Sequence, residues 1–280
     1  MGRTVTAVEL DDVDAALDAL RGELRRLGPV VVAFSGGADS AFLARVAHDE
    51  LGAAARAVTA VSPSLAPEEL DDCRALAGEW GLGWEGVATV ELDDPRYQAN
   101  AGDRCRWCKE ALMDVLEPIA EVAGGATVVL GVNIDDLGDH RPGQEAAVAR
   151  GAALPLVAAG FSKAMVREAS RRLGLRTWDK PAAACLASRV PYGTPVTLQI
   201  LDRVGRAEAA LHRLGFAEVR VRHYEGTARV EVPVARLAEA VAARQAVIAA
   251  VRGAGYERVT LDLDGLRSGN LNADLPADQG

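Results

Sequence analysis

The sequence predicts an α/β protein in which a parallel sheet covered by helices is followed by a smaller α+β domain. Over the first two thirds of the chain, strand-like apolar runs alternate with helix-like periodic runs, which is typical of a parallel sheet with helical connections. Between Leu175 and Thr197 this periodicity fails, in a segment with three prolines and one glycine. Beyond it, the order helix, strand, strand, helix, strand is consistent with a small ferredoxin-like domain.

Each element is indicated by its own apolar spacing. Helices are predicted where apolar residues recur at helical intervals, and strands where short apolar runs are continuous. The first part is predicted to contain a helix over 13–28, a strand over 30–34, a helix over 38–51, a strand over 56–62, a helix over 67–81, a strand over 82–90, a helix over 105–124, a strand over 127–133 and a helix over 162–175. After the break come a helix over 197–214, a strand over 217–224, a turn at Glu225-Gly226, a strand over 227–234, a helix over 236–252 and a strand over 257–263.

The break in periodicity also sets the predicted domain boundaries. Residues 1–180 form the larger domain, and residues 181–195 form a loop that carries Cys185. Residues 196–270 form the α+β domain, and residues 271–280 are expected to be a flexible tail.

The composition is that of an ordinary globular protein. The 280 residues are 49% hydrophobic and 25% charged, which excludes a disordered or collagen-like chain. A net charge of −9 argues against nucleic-acid and anionic-membrane partners. Neither a signal peptide nor an apolar run long enough to cross a membrane is recognisable, so we expect a cytoplasmic protein. Four cysteines are too few for a disulfide scaffold.

A glycine turn over residues 35–40, SGGADS, directly follows one predicted strand and leads into a helix. Gly36 and Gly37 can therefore turn their amides toward an anion at the helix N-terminus, and the hydroxyls of Ser35 and Ser40 can bind phosphate oxygens. We expect Asp39 and Ser40 to cap the helix. A plain strand-to-helix turn is the alternative, but two serines and an acid after a buried strand favour an anion site.

A second candidate segment, GVNIDDLGDHRPG over residues 131–143, leaves the fourth predicted strand at its carboxyl end. Ligands of open α/β sheets bind at that end. Asp135, Asp136 and Asp139 are therefore candidates to position magnesium or a substrate group. The alternative is a solvated acidic loop.

The cysteines differ in their surroundings. Cys73 falls on the apolar stripe of its predicted helix and is interpreted as a core residue. Cys185 lies in the aperiodic loop, where no stripe explains it. Cys105 and Cys108 open a predicted helix, whose N-terminus favours the thiolate form that binds metal.

Three thiolates suit a 4Fe-4S cluster with one open iron, which is the interpretation we favour for Cys105, Cys108 and Cys185. A zinc site is second, because His48 and His140 lack a finger-like spacing to the cysteines. A redox pair is third, because it leaves Cys185 without a role.

The SGGADS turn lacks the pattern of a Walker A loop or of a dinucleotide fingerprint. It resembles the SGGxDS pyrophosphate loop of the PP-loop ATP pyrophosphatases. The resemblance implies that ATP pyrophosphate is held by Ser35, Gly36, Gly37, Asp39 and Ser40. Because the loop contains no lysine, we expect magnesium to offset much of the phosphate charge.

Several longer motifs in register resemble the LarE family. They are SGGADS, GVNIDDLGDHRPG, CLASRVPYG, VRVRHYEGTARVEV and YERVTLDLDGLRSGNLN. The resemblance implies an ATP-dependent sulfur transferase that converts the carboxylates of pyridinium-3,5-biscarboxylic acid mononucleotide into thiocarboxylates, for the nickel-pincer nucleotide cofactor of lactate racemase. It further implies a homo-oligomer, expected to be a hexamer, and a downstream nickel-insertion protein.

The same resemblance assigns site residues. Cys185 matches the cysteine that supplies or binds the transferred sulfur, and Cys105 with Cys108 matches the cluster-dependent members rather than those that sacrifice one cysteine. The residues implied near the substrate or its phosphate are Arg220, Arg222, Arg267, Glu208, Glu231 and Glu239, with Glu231 expected to hold one of the arginines.

Two other functions use similar motifs. A PP-loop tRNA thiolase can also combine a cysteine pair with a distant third cysteine, but the acidic charge argues against tRNA binding. The other is a nucleotide-binding iron-sulfur sensor with no catalytic activity.

Overall fold

Four parallel strands and the helices around them form the first sheet of the computed structural model, which describes residues 10–138, 142–181 and 184–267. The strands are β1 (Val30–Ala33), β2 (Ala55–Val61), β3 (Gly83–Ala88) and β4 (Thr127–Leu130). The α-helices of residues 10–172 are α1 (Leu10–Leu27), α2 (Ala38–Leu51), α3 (Pro67–Trp80), α4 (Pro95–Gln98), α5 (Arg104–Val122), α6 (Pro142–Ala149), α7 (Pro155–Ala158) and α8 (Lys163–Arg172). The predicted α/β class with a parallel sheet is confirmed.

The strand order is β3-β2-β1-β4, so β1 lies between β2 and β4. Val30 of β1 pairs with Ala55 on one side and with Thr127 on the other, and all pairs are parallel. The chain therefore leaves β1 toward one side of the sheet, while β4 occupies the other side. This is a topological switch point, where open α/β sheets bind ligands beyond the carboxyl ends of the strands.

Both faces of the sheet are buried, which explains why β1 reads as a continuous apolar run. Val30 and Val32 belong to a cluster with residues of α1, α2 and α8, such as Phe42. Val31 belongs to a second cluster, with residues of α5 such as Leu116. Alternate side chains of a strand point to opposite faces, so helices on both faces require apolar residues at every position.

A separate three-stranded sheet is built by the C-terminal part of the chain. Its elements are α9 (Leu198–Arg213), β5 (Arg220–Tyr224), β6 (Thr227–Glu231), α10 (Leu237–Ala242), α11 (Arg244–Gly253) and β7 (Arg258–Leu261). β5 and β6 are antiparallel, joined by the predicted two-residue turn, and β6 pairs in parallel with β7. This confirms the predicted helix, strand, strand, helix, strand order.

Two features of the helices differ from the prediction. The single helix predicted over 236–252 is interrupted at Ala243, whose ψ of 12° separates α10 from α11. The apolar spacing that links Ala240 to Val247 continues across this one-residue break, so the sequence pattern does not reveal it. The short helices α4, α6 and α7 were not predicted, and each begins with a proline, a residue favoured in the first helical turn.

The chain is divided into two compact units, and neither is a single continuous segment. One unit takes the chain up to Ser62, together with Pro67–Thr89 and Cys108–Ala183. The other takes Pro63–Ala66, Val90–Trp107 and the chain from Ala184 onward. We call them the glycine-turn unit, which contains the SGGADS turn and the four-stranded sheet, and the cysteine-loop unit, which contains Cys185 and the three-stranded sheet.

Within the described ranges, no helix has both the length and the apolar character needed to cross a membrane.

Candidate active site

The SGGADS turn of the glycine-turn unit lies at the switch point, and its two serines fix its conformation. The hydroxyls of Ser35 and Ser40 lie 3.0 Å apart, and the Ser40 hydroxyl also accepts a bond from the Ser35 amide at 3.2 Å. The Ser40 hydroxyl donates to the Gly37 carbonyl at 3.2 Å. These bonds fix the backbone between the end of β1 and the start of α2.

Helix α2 begins without a side-chain cap, which corrects the expectation that Asp39 and Ser40 cap it. Gly37 is the N-cap residue, and it has no side chain that could cap the helix. Ser40 is engaged within the turn, and Asp39 accepts a bond from the Asn133 side chain instead. The amides that would otherwise be capped therefore remain available to an anion, as the glycine turn requires.

Gly36 is the most constrained residue of the turn. Its φ of +69° favours glycine, and an added Cβ would lie 2.9 Å from the Cys73 sulfur. Cys73 is completely buried in the core, which confirms its predicted structural role. Packing of α3 against the turn therefore leaves room for a hydrogen atom only.

Lys180 brings a cation to this turn from a distant part of the sequence. Its Nζ lies 3.8 Å from the position of a Cβ on Gly36, and it donates to Glu69 at 2.8 Å and to Asp72 at 2.6 Å. Burial lowers the pKa of Lys180, but the hydrogen bonds to Asp72 and Glu69 raise it more, and the net shift is upward. A charged lysine therefore lies beside the glycine turn, although the turn itself contains none.

The exit of β4 comes into backbone contact with α2. A Cβ on Gly131 would lie 2.8 Å from both the Cα and the amide nitrogen of Ser40, so only glycine fits. Two residues further on, the fully buried Asn133 donates to Asp39 at 3.3 Å. Burial raises the pKa of Asp39, and the bond from Asn133 offsets only part of this shift.

The other acids of this segment have bonds to the backbone. Asp136 accepts from the Asn133 amide at 3.2 Å, and Asp135 accepts from the Lys163 amide at 2.7 Å. Asp39, Asp135 and Asp136 thus surround the β4 exit within one unit, and their carboxylate oxygens are of the type that magnesium prefers. Asp139 and His140 lie outside the described residues.

In the cysteine-loop unit, Cys185 is exposed and starts a short 3-10 turn over Leu186–Arg189. Its carbonyl accepts bonds from the Ser188 hydroxyl at 2.7 Å and from Arg189 at 3.3 Å. Arg189 also donates to the Ala184 carbonyl at 2.7 Å. The backbone on both sides of the cysteine is therefore held, while the thiol remains accessible.

Two buried ion pairs connect this loop to the C-terminal part of the chain, one to α9 and one to the three-stranded sheet. Arg189 forms a two-point pair with Glu208, at 2.9 and 3.0 Å. Arg222 forms another with Glu231, at 3.0 and 3.0 Å, and its remaining nitrogen donates to the Ser188 carbonyl at 2.7 Å. The expectation that Glu231 holds an arginine is confirmed. Glu208, Arg222 and Glu231 thus hold the Cys185 loop through Arg189 and through the Ser188 carbonyl.

Arg220 lies near Arg189 and Arg222 but, unlike them, forms no two-point ion pair among the described residues. It is half-buried, and it donates to the Arg267 carbonyl at 3.0 Å. Burial, together with the charges of Arg189 and Arg222, lowers the pKa of Arg220. A cation crowded by other cations is a favourable partner for an anionic ligand, since the ligand relieves their repulsion.

The remaining predicted residues lie toward the surface. Arg267 is exposed and pairs with Asp264. Glu239 is exposed on α10 and pairs with Arg236. Neither belongs to the two buried ion pairs that contact the Cys185 loop.

None of the four cysteines forms a disulfide. Cys105 and Cys185 belong to the cysteine-loop unit, and Cys108 begins the last segment of the glycine-turn unit. Cys105 and Cys108 lie three residues apart near the start of α5, and hence on one helix face. Thiols are the donors that an iron-sulfur cluster takes, so the residue types fit. Among the described side chains, no group of three or more His, Cys, Asp or Glu residues is arranged to hold a metal ion.

Sequence reasoning did not identify Arg189, Lys180, Gly131 or Asn133. Arg189 carried a usable signal, because it lies four residues after Cys185 in a segment with no helix or strand face to explain a charge. The other three become visible only when distant segments meet.

A parallel α/β sheet with a Ser-Gly-Gly turn at its switch point defines a PP-loop-type α/β protein. No protein-family model matches the chain. The chain is 38% identical to the pyridinium-3,5-bisthiocarboxylic acid mononucleotide synthase of Lactiplantibacillus plantarum over 253 residues, which are 90% of this chain and 92% of the synthase. It belongs to the family of that enzyme, the LarE family.

Two further relatives have no described function. An uncharacterized protein of Synechocystis sp. is 46% identical over 262 residues, covering 93% of this chain and 98% of the relative. An uncharacterized protein of Methanocaldococcus jannaschii is 23% identical over 239 residues, covering 85% of this chain and 91% of the relative.

Proposed function

We propose that this chain is an ATP-dependent sulfur transferase that converts the carboxylates of pyridinium-3,5-biscarboxylic acid mononucleotide into thiocarboxylates, in the biosynthesis of the nickel-pincer nucleotide. The observation that carries the proposal is the 38% identity to the Lactiplantibacillus plantarum synthase, which extends over 90% of this chain. The glycine turn and the cysteine loop supply the two kinds of site that such a reaction needs.

The reaction needs two steps, because a carboxylate has no leaving group that sulfur can displace. In the first step, a carboxylate oxygen of the substrate attacks the α-phosphate of ATP, which forms an acyl-adenylate and releases pyrophosphate. In the second, a sulfur nucleophile forms a C–S bond to the carbonyl carbon, the C–O bond to the phosphate breaks, and AMP leaves. Each carboxylate consumes one ATP.

The residues of the glycine-turn unit serve the first step. The free first-turn amides of α2 and the hydroxyls of Ser35 and Ser40 bind the pyrophosphate portion of ATP. Lys180 adds positive charge beside Gly36. Asp135 and Asp136 would each offer a carboxylate to magnesium, which would shield the phosphate charge; two carboxylates are enough, because magnesium usually keeps several waters and binds substrate phosphates.

The residues of the cysteine-loop unit serve the second step. Arg220, with Arg267 next to it, binds a phosphate or carboxylate of the substrate through its guanidinium. Arg189 and Arg222 are committed to Glu208 and Glu231, and we assign them to holding the Cys185 loop. Cys185, exposed on this loop, would be a ligand of the group that carries the transferred sulfur.

Cys105, Cys108 and Cys185 would hold a 4Fe-4S cluster. When bound, the cluster supplies an open iron that can carry sulfide, so that Cys185 is not consumed.

The adenylation step is tested by ATP-pyrophosphate exchange with the biscarboxylate mononucleotide. Exchange that depends on this substrate, and formation of one AMP per thiocarboxylate, are expected. Nicotinic acid mononucleotide, which lacks the second carboxylate, is the control. Absence of exchange with the biscarboxylate substrate overturns the proposal.

The cluster is tested by anaerobic reconstitution, followed by analysis of iron, sulfide and absorption. Cys105→Ser, Cys108→Ser and Cys185→Ser should each lose cluster content, and Cys73→Ala, which changes the core cysteine, should retain it. Stoichiometric zinc with no cluster absorption contradicts the assignment. Conversion of Cys185 to dehydroalanine after one turnover, detected by peptide mass spectrometry, would show sacrificial sulfur instead.

A further inference from the structure

We propose that Asn100 and Arg104 are positioning residues for sulfur transfer, which fix the Cys185 loop to the residue that precedes Cys105. This inference deepens the proposed function and rests on it. Neither residue stood out in the sequence, because both lie outside the apolar patterns.

Asn100 binds the far side of the Cys185 loop through one side-chain amide. Its Nδ2 donates to the carbonyls of Pro191 at 2.8 Å and Thr194 at 2.9 Å, with a longer contact of 3.3 Å to the Val190 carbonyl. Its own carbonyl accepts from the Gly193 amide at 3.1 Å. Asn100 is completely buried and has a φ of +54°, a conformation that few residues other than glycine and asparagine adopt readily.

Arg104 binds the near side of the same loop. Its Nη1 donates to the Asn100 side-chain oxygen and, at 3.0 Å, to the carbonyl of Ala187, two residues after Cys185. Arg104 is 5% exposed, and it is the residue immediately before Cys105 in the first turn of α5. Asn100 and Arg104 thus form a continuous series of hydrogen bonds that links the residue before Cys105 to Ala187 and to residues 190–194 of the Cys185 loop.

Backbone hydrogen bonds also join the Cys185 loop to the segments 63–66 and 90–107. The Leu186 amide donates to the Ser64 carbonyl at 2.8 Å, and the Val196 amide donates to the Gln98 carbonyl at 2.9 Å. The Ser64 hydroxyl in turn lies 2.6 Å from the buried Tyr97 hydroxyl. Segments 63–66 and 90–107 therefore hold a loop that has almost no regular structure of its own.

The chemistry of these contacts points to positioning rather than to packing. Among the described residues, Arg104 forms no ion pair with a carboxylate; its Nη1 donates to an amide oxygen and to a main-chain carbonyl, and its guanidinium lies 5.9 Å from the centre of the Tyr192 ring. A buried charge without an acidic partner is unfavourable compared with an apolar side chain of similar size. Arg104 directly precedes Cys105 and donates to the carbonyl of Ala187, two residues after Cys185. A buried arginine at this position is explained if the relative placement of the two cysteines matters.

Placement matters because attack on an acyl-adenylate competes with hydrolysis. If the sulfur-bearing loop is displaced, the adenylate persists until water attacks it, and AMP is released without a thiocarboxylate. A displacement of about 1 Å can slow a positioned reaction by about 100-fold. Adenylation, in contrast, depends on the glycine turn of the other unit.

The test uses Asn100→Gly, which keeps the positive φ and removes the side-chain bonds, and Arg104→Lys, which keeps the charge and removes the planar guanidinium. Arg106→Lys, an exposed change in the same helical turn, is the control. The readout is the ratio of AMP released to thiocarboxylate formed in a single turnover by the full-length, reconstituted protein. We expect the ratio to rise by at least about tenfold in both test variants, with unchanged values for the control.

A purely structural role would lower both products together and leave this ratio at its wild-type value, which would overturn the proposal. Hydrogen exchange gives a second readout that needs no activity. The amides of Leu186, Gly193 and Val196 should exchange faster in Asn100→Gly, while those of α9 stay protected. Unchanged exchange at these three amides also overturns it. If the wild-type protein neither adenylates nor thiolates, the proposed function fails, and the exchange result still decides whether Asn100 holds the loop.

Discussion

Gly36 occupies a position where both conformation and space exclude a side chain. For Gly36→Ala, the positive φ alone costs about 1–2 kcal/mol, and the Cβ would meet the Cys73 sulfur at 2.9 Å. We therefore predict loss of unfolding free energy above that range together with weaker ATP binding. Chemical denaturation and calorimetric titration with ATP measure the two effects.

Two variants separate the causes. Gly37→Ala has an ordinary φ of −74° and its nearest neighbour at 3.6 Å, so its stability should stay near that of the wild type. Cys73→Ala in the Gly36→Ala background removes the sulfur and should recover only the steric part. Equal stability losses in Gly36→Ala and Gly37→Ala would contradict this account.

Lys180 is predicted to support ATP binding through charge. Lys180→Gln leaves Glu69 without this cation and Asp72 with Arg176 alone, so more negative charge beside the glycine turn repels phosphate. We expect ATP affinity to fall by about tenfold or more, since hydrogen bonds to charged groups contribute roughly 1.5–3 kcal/mol. Arg176→Gln removes another cation that pairs with Asp72 and is the matched control. Equal ATP dissociation constants for the two variants would rule out a specific role for Lys180.

His223 gives the stability a pH dependence. It is buried with Nδ1 3.1 Å from the Tyr256 hydroxyl, and burial, followed by the charge of Arg203, lowers its pKa. As pH falls below the ordinary histidine pKa of about 6.5, the unfolded chain binds a proton that the folded chain does not, so stability decreases toward the lowered pKa.

His223→Asn retains a polar group near the Tyr256 hydroxyl but cannot titrate. The difference in unfolding free energy between about pH 7.5 and about pH 5 should therefore be smaller in His223→Asn than in the wild type. Identical differences in the two proteins would assign the acid sensitivity to other groups.

At the scale of elements, the antiparallel pair β5–β6 depends on a buried charge pair. Arg222 and Glu231 are 3% and 0% exposed, and they lie on neighbouring strands. Glu231→Gln leaves the arginine charge buried and should destabilise the protein by about 3–5 kcal/mol. The double variant Arg222→Met/Glu231→Leu removes both charges and should be more stable than Glu231→Gln in urea unfolding. If the double variant is the less stable of the two, burial of an unpaired charge is not the main cause of the destabilisation.

The elements themselves were largely predictable, because local patterns determine them. Helix α2 has the predicted boundaries, and β1 was identified from an apolar run that two covered sheet faces require. The break at Ala243 was not predictable, because the apolar spacing continues across it. The positions of Lys180 and Arg104 were not predictable either, because their partners lie far away in sequence and no periodic pattern links them.

At the scale of the whole molecule, the predicted domain boundaries remain a prediction, but the two compact units are discontinuous in sequence. A fragment beginning at Ala184 would contain Cys185 and the three-stranded sheet, but would lack Ser64, Asn100 and Arg104. We predict that the three-stranded sheet can form in this fragment while residues 184–196 lose their protection from hydrogen exchange. Wild-type protection of this loop in the isolated fragment would show that its order is local.

The interleaved course of the chain has a consequence for how this protein can diversify. The chain passes between the two units five times, so no single crossover between genes can exchange one unit intact. A hybrid with a relative joined near residue 184 would combine a cysteine loop from one parent with the Asn100 and Arg104 environment of the other. Recombination should therefore be tolerated only between parents that match at both places, and the two units are inherited together.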